Sequence, residues 1–115
     1  MLESEFAAHC EQLELATDDG SYGTPGFVTR LLERHLDNEI VDGVYICGPT
    51  PMMKAATALC VQRNVPVQVS MEQRMGCGVG ACLVCACKKS SADGFVYTHV
   101  CKEGPVFNGR DMLFD

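Results

Sequence analysis

The stretch Met75-Gly76-Cys77-Gly78-Val79-Gly80-Ala81-Cys82-Leu83-Val84-Cys85 decides how the second half of this chain must fold, and it is completed by Cys101. It reads Cys-x4-Cys-x2-Cys with a fourth cysteine 16 residues further on. That is the spacing of plant-type [2Fe–2S] sites, in which four thiolates hold two irons. The intervening residues suit such a role. Gly76, Gly78 and Gly80 can take positive φ without steric cost, and Ala81 adds only a methyl group. A loop so poor in side chains can wrap a compact anionic core and aim its backbone N–H groups at it.

Other readings of the cysteines compete. Eight cysteines in 115 residues would suit a disulfide framework. Such frameworks belong to secreted chains, and Met1-Leu2-Glu3-Ser4-Glu5-Phe6 has neither a basic start nor an apolar core of a leader. Structural zinc favours two separated Cys-x2-Cys knuckles, and only Cys82/Cys85 forms one, leaving Cys101 or His99 to finish the site. Two histidines would be needed for a Rieske-type centre, and the region offers only His99. Ordinary buried cysteines leave the glycine content unexplained. The spacing predicts Cys77, Cys82, Cys85 and Cys101 as the ligands, Cys87 as a strand residue, and Cys10 and Cys60 as small core residues on helix faces.

Outward from that loop, the composition describes a soluble globular protein, not a disordered one, with 47% apolar and 21% charged residues. A formal charge of −6 argues against nucleic acid or an anionic membrane surface as partner. No apolar run approaches the roughly 20 residues of a membrane span. Many unpaired thiols and no leader predict the cytoplasm.

Upstream, residues 4–11 predict a short helix with Phe6, Cys10 and Leu13 on one side. Gln12 to Thr17 alternates as a strand and ends in the turn-forming run Asp18 to Gly23. Thr24 as N-cap and Pro25 at the first helical position predict a helix with Phe27/Val28, Leu31, Leu32 and His35/Leu36 facing a core. Val41 to Cys47 predicts a strand, apolar on both faces as a buried parallel strand should be. The start signal then recurs at Thr50 and Pro51, opening a helix that runs to Asn64, and Val65 to Met71 predicts a third strand. Helical crossovers of this length join parallel strands. Beyond residue 72, strands near 83–88 and 95–100 predict a hairpin. The boundary falls at 72/73: an α/β unit over 1–72, then a small β-rich cluster module over 73–115.

Thr17-Asp18-Asp19-Gly20-Ser21-Tyr22-Gly23 and Tyr45-Ile46-Cys47-Gly48-Pro49-Thr50-Pro51-Met52-Met53 resemble the later half of the nucleotide-binding domain of ferredoxin reductase-like flavoproteins. With the cysteine loop and Val100-Cys101-Lys102-Glu103-Gly104-Pro105-Val106-Phe107, the pattern resembles the electron transfer subunit family of NAD-dependent dihydroorotate dehydrogenases, enzymes of pyrimidine biosynthesis. The resemblance implies a [2Fe–2S] cluster on the four cysteines. It implies that Cys47, Gly48, Pro49 and Met52 border a nicotinamide, with Thr17 and Asp18 nearby. It also implies an FMN-containing catalytic subunit as partner, and FAD and NAD(H) as the other cofactors. A flavin must stand between cluster and NAD, because only a flavin handles both single electrons and electron pairs.

The family begins with an FAD-binding barrel and a glycine-rich pyrophosphate turn, and neither is present in these residues. The chain therefore reads as the C-terminal part, with FAD binding lost, NAD binding weak and no independent catalysis expected. An open sheet edge predicts self-association. Two alternatives stand beside this: an NADPH–ferredoxin-type iron–sulfur flavoprotein reductase, and a zinc-stabilised interaction module without redox chemistry.

Overall fold

The computed structural model describes residues 1–114. The chain divides into two compact units, the first ending at Asn38 and the second beginning at Glu39. In the first unit, α1 (Glu3–His9) carries no buried residue, and Phe6 and Cys10 are exposed. The core position expected for Cys10 is therefore not met; a helix of two turns has no stripe wide enough to seat it. The strand expected over 12–17 contracts to β1 (Ala16–Thr17), which pairs in parallel with β2 (Thr24–Pro25).

Thr24 and Pro25 are thus strand residues, not the cap and first turn of a helix. Thr24 donates its N–H to the carbonyl of Leu15 at 2.8 Å, and Gly26 donates to Thr17 at 2.8 Å, drawing this dipeptide into a ladder. Pro25 fits there because a short edge strand does not need its missing N–H. Gly26, at φ 105°, redirects the chain, and α2 (Val28–Asn38) begins only afterwards. Of the predicted stripe, Leu31 is buried and Leu32, His35 and Leu36 are half-buried, while Phe27 and Val28 are exposed. The carboxylate of Glu14 meets both Arg34 and His35.

The second unit opens with β3 (Val44–Cys47), α3 (Thr50–Gln62) and β4 (Val67–Ser70). The two strands are parallel, as a helical crossover requires, with Val44 opposite Val67 and Ile46 opposite Val69. Ile46, Val67 and Val69 are buried, together with Met53, Ala56, Thr57 and Cys60 of α3. Fully burying the larger of these, Ile46, Val67, Val69 and Met53, contributes about 1.5–3 kcal/mol each. Asn64 ends the helix in the left-handed region, at φ 55°. Thr50 is already helical and Pro49 occupies the cap position without a side-chain hydrogen bond, so Thr50 is not the N-cap that the sequence suggests.

The alternate residues of β3 behave differently from expectation. Tyr45 is 81% exposed and Cys47 is exposed, so only one face of this strand is packed.

After β4 the chain passes through the cysteine loop into a hairpin of β5 (Ala86–Ser91) and β6 (Gly94–His99). It then returns twice. β7 (Val106–Asn108) pairs antiparallel with β4, and β8 (Met112–Leu113) pairs with β5. Hydrogen bonding therefore gives three small sheets, ordered β1-β2, β3-β4-β7 and β6-β5-β8, in place of one parallel sheet. The mixed α/β class holds. No helix among the described residues is long and apolar enough to cross a membrane.

Candidate metal centre

The cysteine loop is held by its own backbone. Val79, Ala81 and Cys82 direct their N–H groups at the Cys77 sulfur, at 3.3, 3.2 and 3.4 Å. Cys77 N–H returns the contact to the Cys82 sulfur at 3.3 Å. Three convergent amides stabilise a thiolate, and they lower the Cys77 pKa from 9.0 to about 6.

A second pair forms across the chain, where Cys101 N–H reaches the Cys85 sulfur at 3.5 Å. That contact lowers the Cys85 pKa, whereas Cys101 is raised, chiefly because its thiol shares a proton with Cys85. The Gly80 N–H also points at Cys101, and the Cys77 charge is felt there, which ties the two pairs into one locus. Cys77 with Cys82, and Cys85 with Cys101, is the grouping the structure brings together.

The glycines serve different ends. Gly78 and Gly80 take φ of 74° and 84°, as expected. Gly76 does not need positive φ; a Cβ there would lie 2.7 Å from the Cys82 sulfur, so its bare backbone makes room for that atom. Leu83 adopts φ 61°, an uncommon conformation for a γ-branched residue, in the short span between Cys82 and Cys85. Met75, Val79, Leu83 and Val84 leave the loop rimmed with exposed apolar side chains.

On the Cys101 side, residues 99–103 form a tight turn. Glu103 accepts from His99 N–H at 2.8 Å and from the Thr98 hydroxyl at 3.5 Å, and the former contact lowers the Glu103 pKa. Gly104 follows, and a Cβ there would meet the Phe107 ring at 2.5 Å. The packing of Phe107 on bare backbone joins this turn to β7, and Met71 N–H bonds to the Pro105 carbonyl at 2.9 Å beside it. Cys87 is buried in β5, with its thiol toward the Thr98 carbonyl at 3.6 Å and its pKa raised by desolvation.

Among the described residues no three His, Cys, Asp or Glu side chains converge as a single ion would need. The thiols gather instead as two pairs, Cys77 with Cys82 and Cys85 with Cys101. The donor set is soft and wholly sulfur, which suits iron–sulfur clusters and zinc.

The residues expected to border a nucleotide fall into both units. In the first, Thr17 receives the Tyr22 N–H on its hydroxyl at 3.3 Å and donates that hydroxyl to the Tyr22 carbonyl at 2.8 Å. Asp18 is exposed, and Asp19 closes the turn by accepting from Ser21 N–H at 2.9 Å. In the second, Cys47, Gly48, Pro49 and Met52 lie together at the carboxyl end of β3. A Cβ on Gly48 would fall 2.5 Å from the Met52 methyl, so the flexible end of Met52 lies over this backbone.

Three thiols on a glycine-rich loop and a fourth on the turn after β6, gathered in two pairs, make this α/β chain a candidate for a four-cysteine metal or cluster centre. Residues 72–113 match the family model of the iron–sulfur cluster binding domain of dihydroorotate dehydrogenase B. The whole chain is similar to electron transfer subunits of dihydroorotate dehydrogenase B (NAD(+)). The subunit of Caldanaerobacter subterraneus subsp. tengcongensis is 45% identical over 103 residues, covering 90% of this chain and 41% of the relative. That of Desulforamulus reducens is 43% identical over 115 residues, covering 100% and 44%. The chain thus spans about two fifths of the length of these relatives. A solved structure described as an NADH-dependent reduced ferredoxin–NADP oxidoreductase, in a study of flavin-based electron bifurcation, superposes with a TM-score of 0.83. It is 30% identical and covers 100% of this chain and 40% of that one.

Proposed function

We propose that this chain is the C-terminal part of an electron transfer subunit of NAD-dependent dihydroorotate dehydrogenase. Residues 73–115 form its [2Fe–2S] module, with Cys77 and Cys82 on one iron and Cys85 and Cys101 on the other. Residues 1–72 form the later part of the NAD-binding domain. The observation that carries the reading is the pairing of four thiols on a segment that matches an iron–sulfur family model.

When bound, such a cluster carries single electrons. The chain's own residues do the rest. Amides of Val79, Ala81 and Cys82 hold Cys77 as a thiolate ready to ligate. The bare backbone at Gly76 admits Cys82. In the whole subunit, the route runs from the FMN of the catalytic partner through this module to FAD and NAD, within pyrimidine biosynthesis in the cytoplasm. Cys47, Gly48, Pro49 and Met52, with Thr17 and Asp18, then border the nicotinamide, and Met52 moves aside to admit it.

A second reading, an oxidoreductase working between NADPH and ferredoxin, draws support from the structural neighbour. Its 30% identity against 45% favours the first. A serine series tests the site: C77S, C82S, C85S and C101S each lose cluster absorbance after anaerobic reconstitution, while C10S, C60S and C87S keep it. Retention in any of the first four contradicts the assignment of that residue. Co-purification of the full-length subunit with the dihydroorotate dehydrogenase catalytic subunit, and not with ferredoxin, separates the two partners.

A further inference from the structure

The loop 77–82 is crossed by a side chain that the cysteine pattern does not predict. The position a Cβ would occupy on Gly80 lies 3.1 Å from Cδ, 3.6 Å from Cγ and 3.5 Å from Cβ of Lys102. The lysine stem therefore lies along the bare backbone of Gly80, with its ammonium two bonds beyond Cδ. Gly80 is also the residue whose N–H points at the Cys101 sulfur. One glycine thus receives the stem of Lys102 and contacts the sulfur of the preceding residue, clasping the loop to the turn that carries Cys101. The neighbouring anion, Glu103, accepts from the His99 N–H and the Thr98 hydroxyl and also feels the Lys102 charge.

We infer that Lys102 is a positioning and tuning residue for the four-cysteine centre. Its stem holds the 77–82 loop against Cys101, and its charge favours the reduced over the oxidised cluster. This rests on the cluster reading above. A two-iron centre with four thiolates is anionic, and taking up one electron adds one more negative charge. A nearby fixed cation lowers the free energy of the more negative state, by an amount that falls with distance and screening. For an exposed lysine whose stem rests on the loop that carries the thiols, solvent screening holds the shift in the reduction equilibrium to about three- to tenfold. Tenfold corresponds to about 59 mV for a one-electron couple.

The test is a dye-mediated dithionite titration of the reconstituted 115-residue chain, followed by visible absorbance. Lys102→Met keeps the apolar stem and removes the charge, and Lys102→Arg keeps both. The expected result is a lower midpoint for the methionine variant and a midpoint near wild type for the arginine variant. Raising the salt concentration lowers the wild-type value toward that of Lys102→Met, whose own value moves less. A methionine variant that fails to retain iron while the arginine variant retains it also supports the inference, since only the charge differs in kind. Equal midpoints and equal salt responses in all three overturn it while leaving the cluster reading intact. A wild-type chain that takes up no iron and sulfide overturns both.

Discussion

Cys77 is the residue whose behaviour departs furthest from an ordinary side chain of its type. Its folded-state pKa lies below its ordinary value of 9.0, at about 6, because three amides favour the thiolate. The metal-free chain therefore gains stability from Cys77 fully above pH 9, and loses that gain as the pH falls toward 6. Alkylation of the metal-free chain by iodoacetamide, followed residue by residue by mass spectrometry, should show Cys77 reacting with a midpoint near pH 6. Cys60, fully buried with its pKa raised by desolvation, should stay unreacted in the folded protein. Thr57 offers a second test at this scale, because its hydroxyl is buried without a hydrogen-bond partner. Thr57→Val keeps the shape and removes the orphaned group, and should raise stability by about 1 kcal/mol in urea unfolding. The spacing singles out the four cysteines that the structure gathers in two pairs, Cys77 with Cys82 and Cys85 with Cys101. The clearance at Gly76 and the crossing by Lys102 are not legible in the sequence, since both depend on which atoms meet after folding.

At the scale of elements, the segments with a strong local pattern formed where the sequence placed them. Helix α3 carries an apolar face and a left-handed Asn64; the hairpin β5–β6 also forms, but its first strand runs over Ala86–Ser91 instead of 83–88, because Lys89, Ser90 and Ser91 pair with β6 and leave only residues 92–93 to the turn. The segments that shifted were those where one local signal serves two structures. Thr24-Pro25 reads equally as a helix start or a short edge strand, and pairing with β1 decides it. The returns of β7 to β4 and β8 to β5 carry no local signature, because their partners lie far away in sequence. They matter to the site, since β7 anchors the turn that bears Cys101. Gly104→Ala would drive a methyl group into the Phe107 ring and toward the Val100 carbonyl at 3.1 Å. It should cost about 1–3 kcal/mol of stability and loosen Cys101, which amide hydrogen exchange over residues 99–108 would register. Met53→Ala, at a side chain only 1% exposed, should cost about 2–5 kcal/mol through the cavity it leaves, without changing iron uptake.

At the scale of the whole molecule, an acidic α/β chain carries four cysteines gathered in two pairs. The outer edge of β3 pairs with no strand among the described residues, and an unpaired edge recruits other strands. Sedimentation of the 115-residue chain should accordingly show mass rising with concentration, and a strictly monomeric profile would count against an available edge. The thiol pairs bear on the central claim more directly, because a two-iron core and a single zinc demand different stoichiometry. Iron, zinc and acid-labile sulfide should be counted on chain purified without oxygen. The account predicts about two irons and two sulfides per chain. One zinc with no sulfide would contradict it.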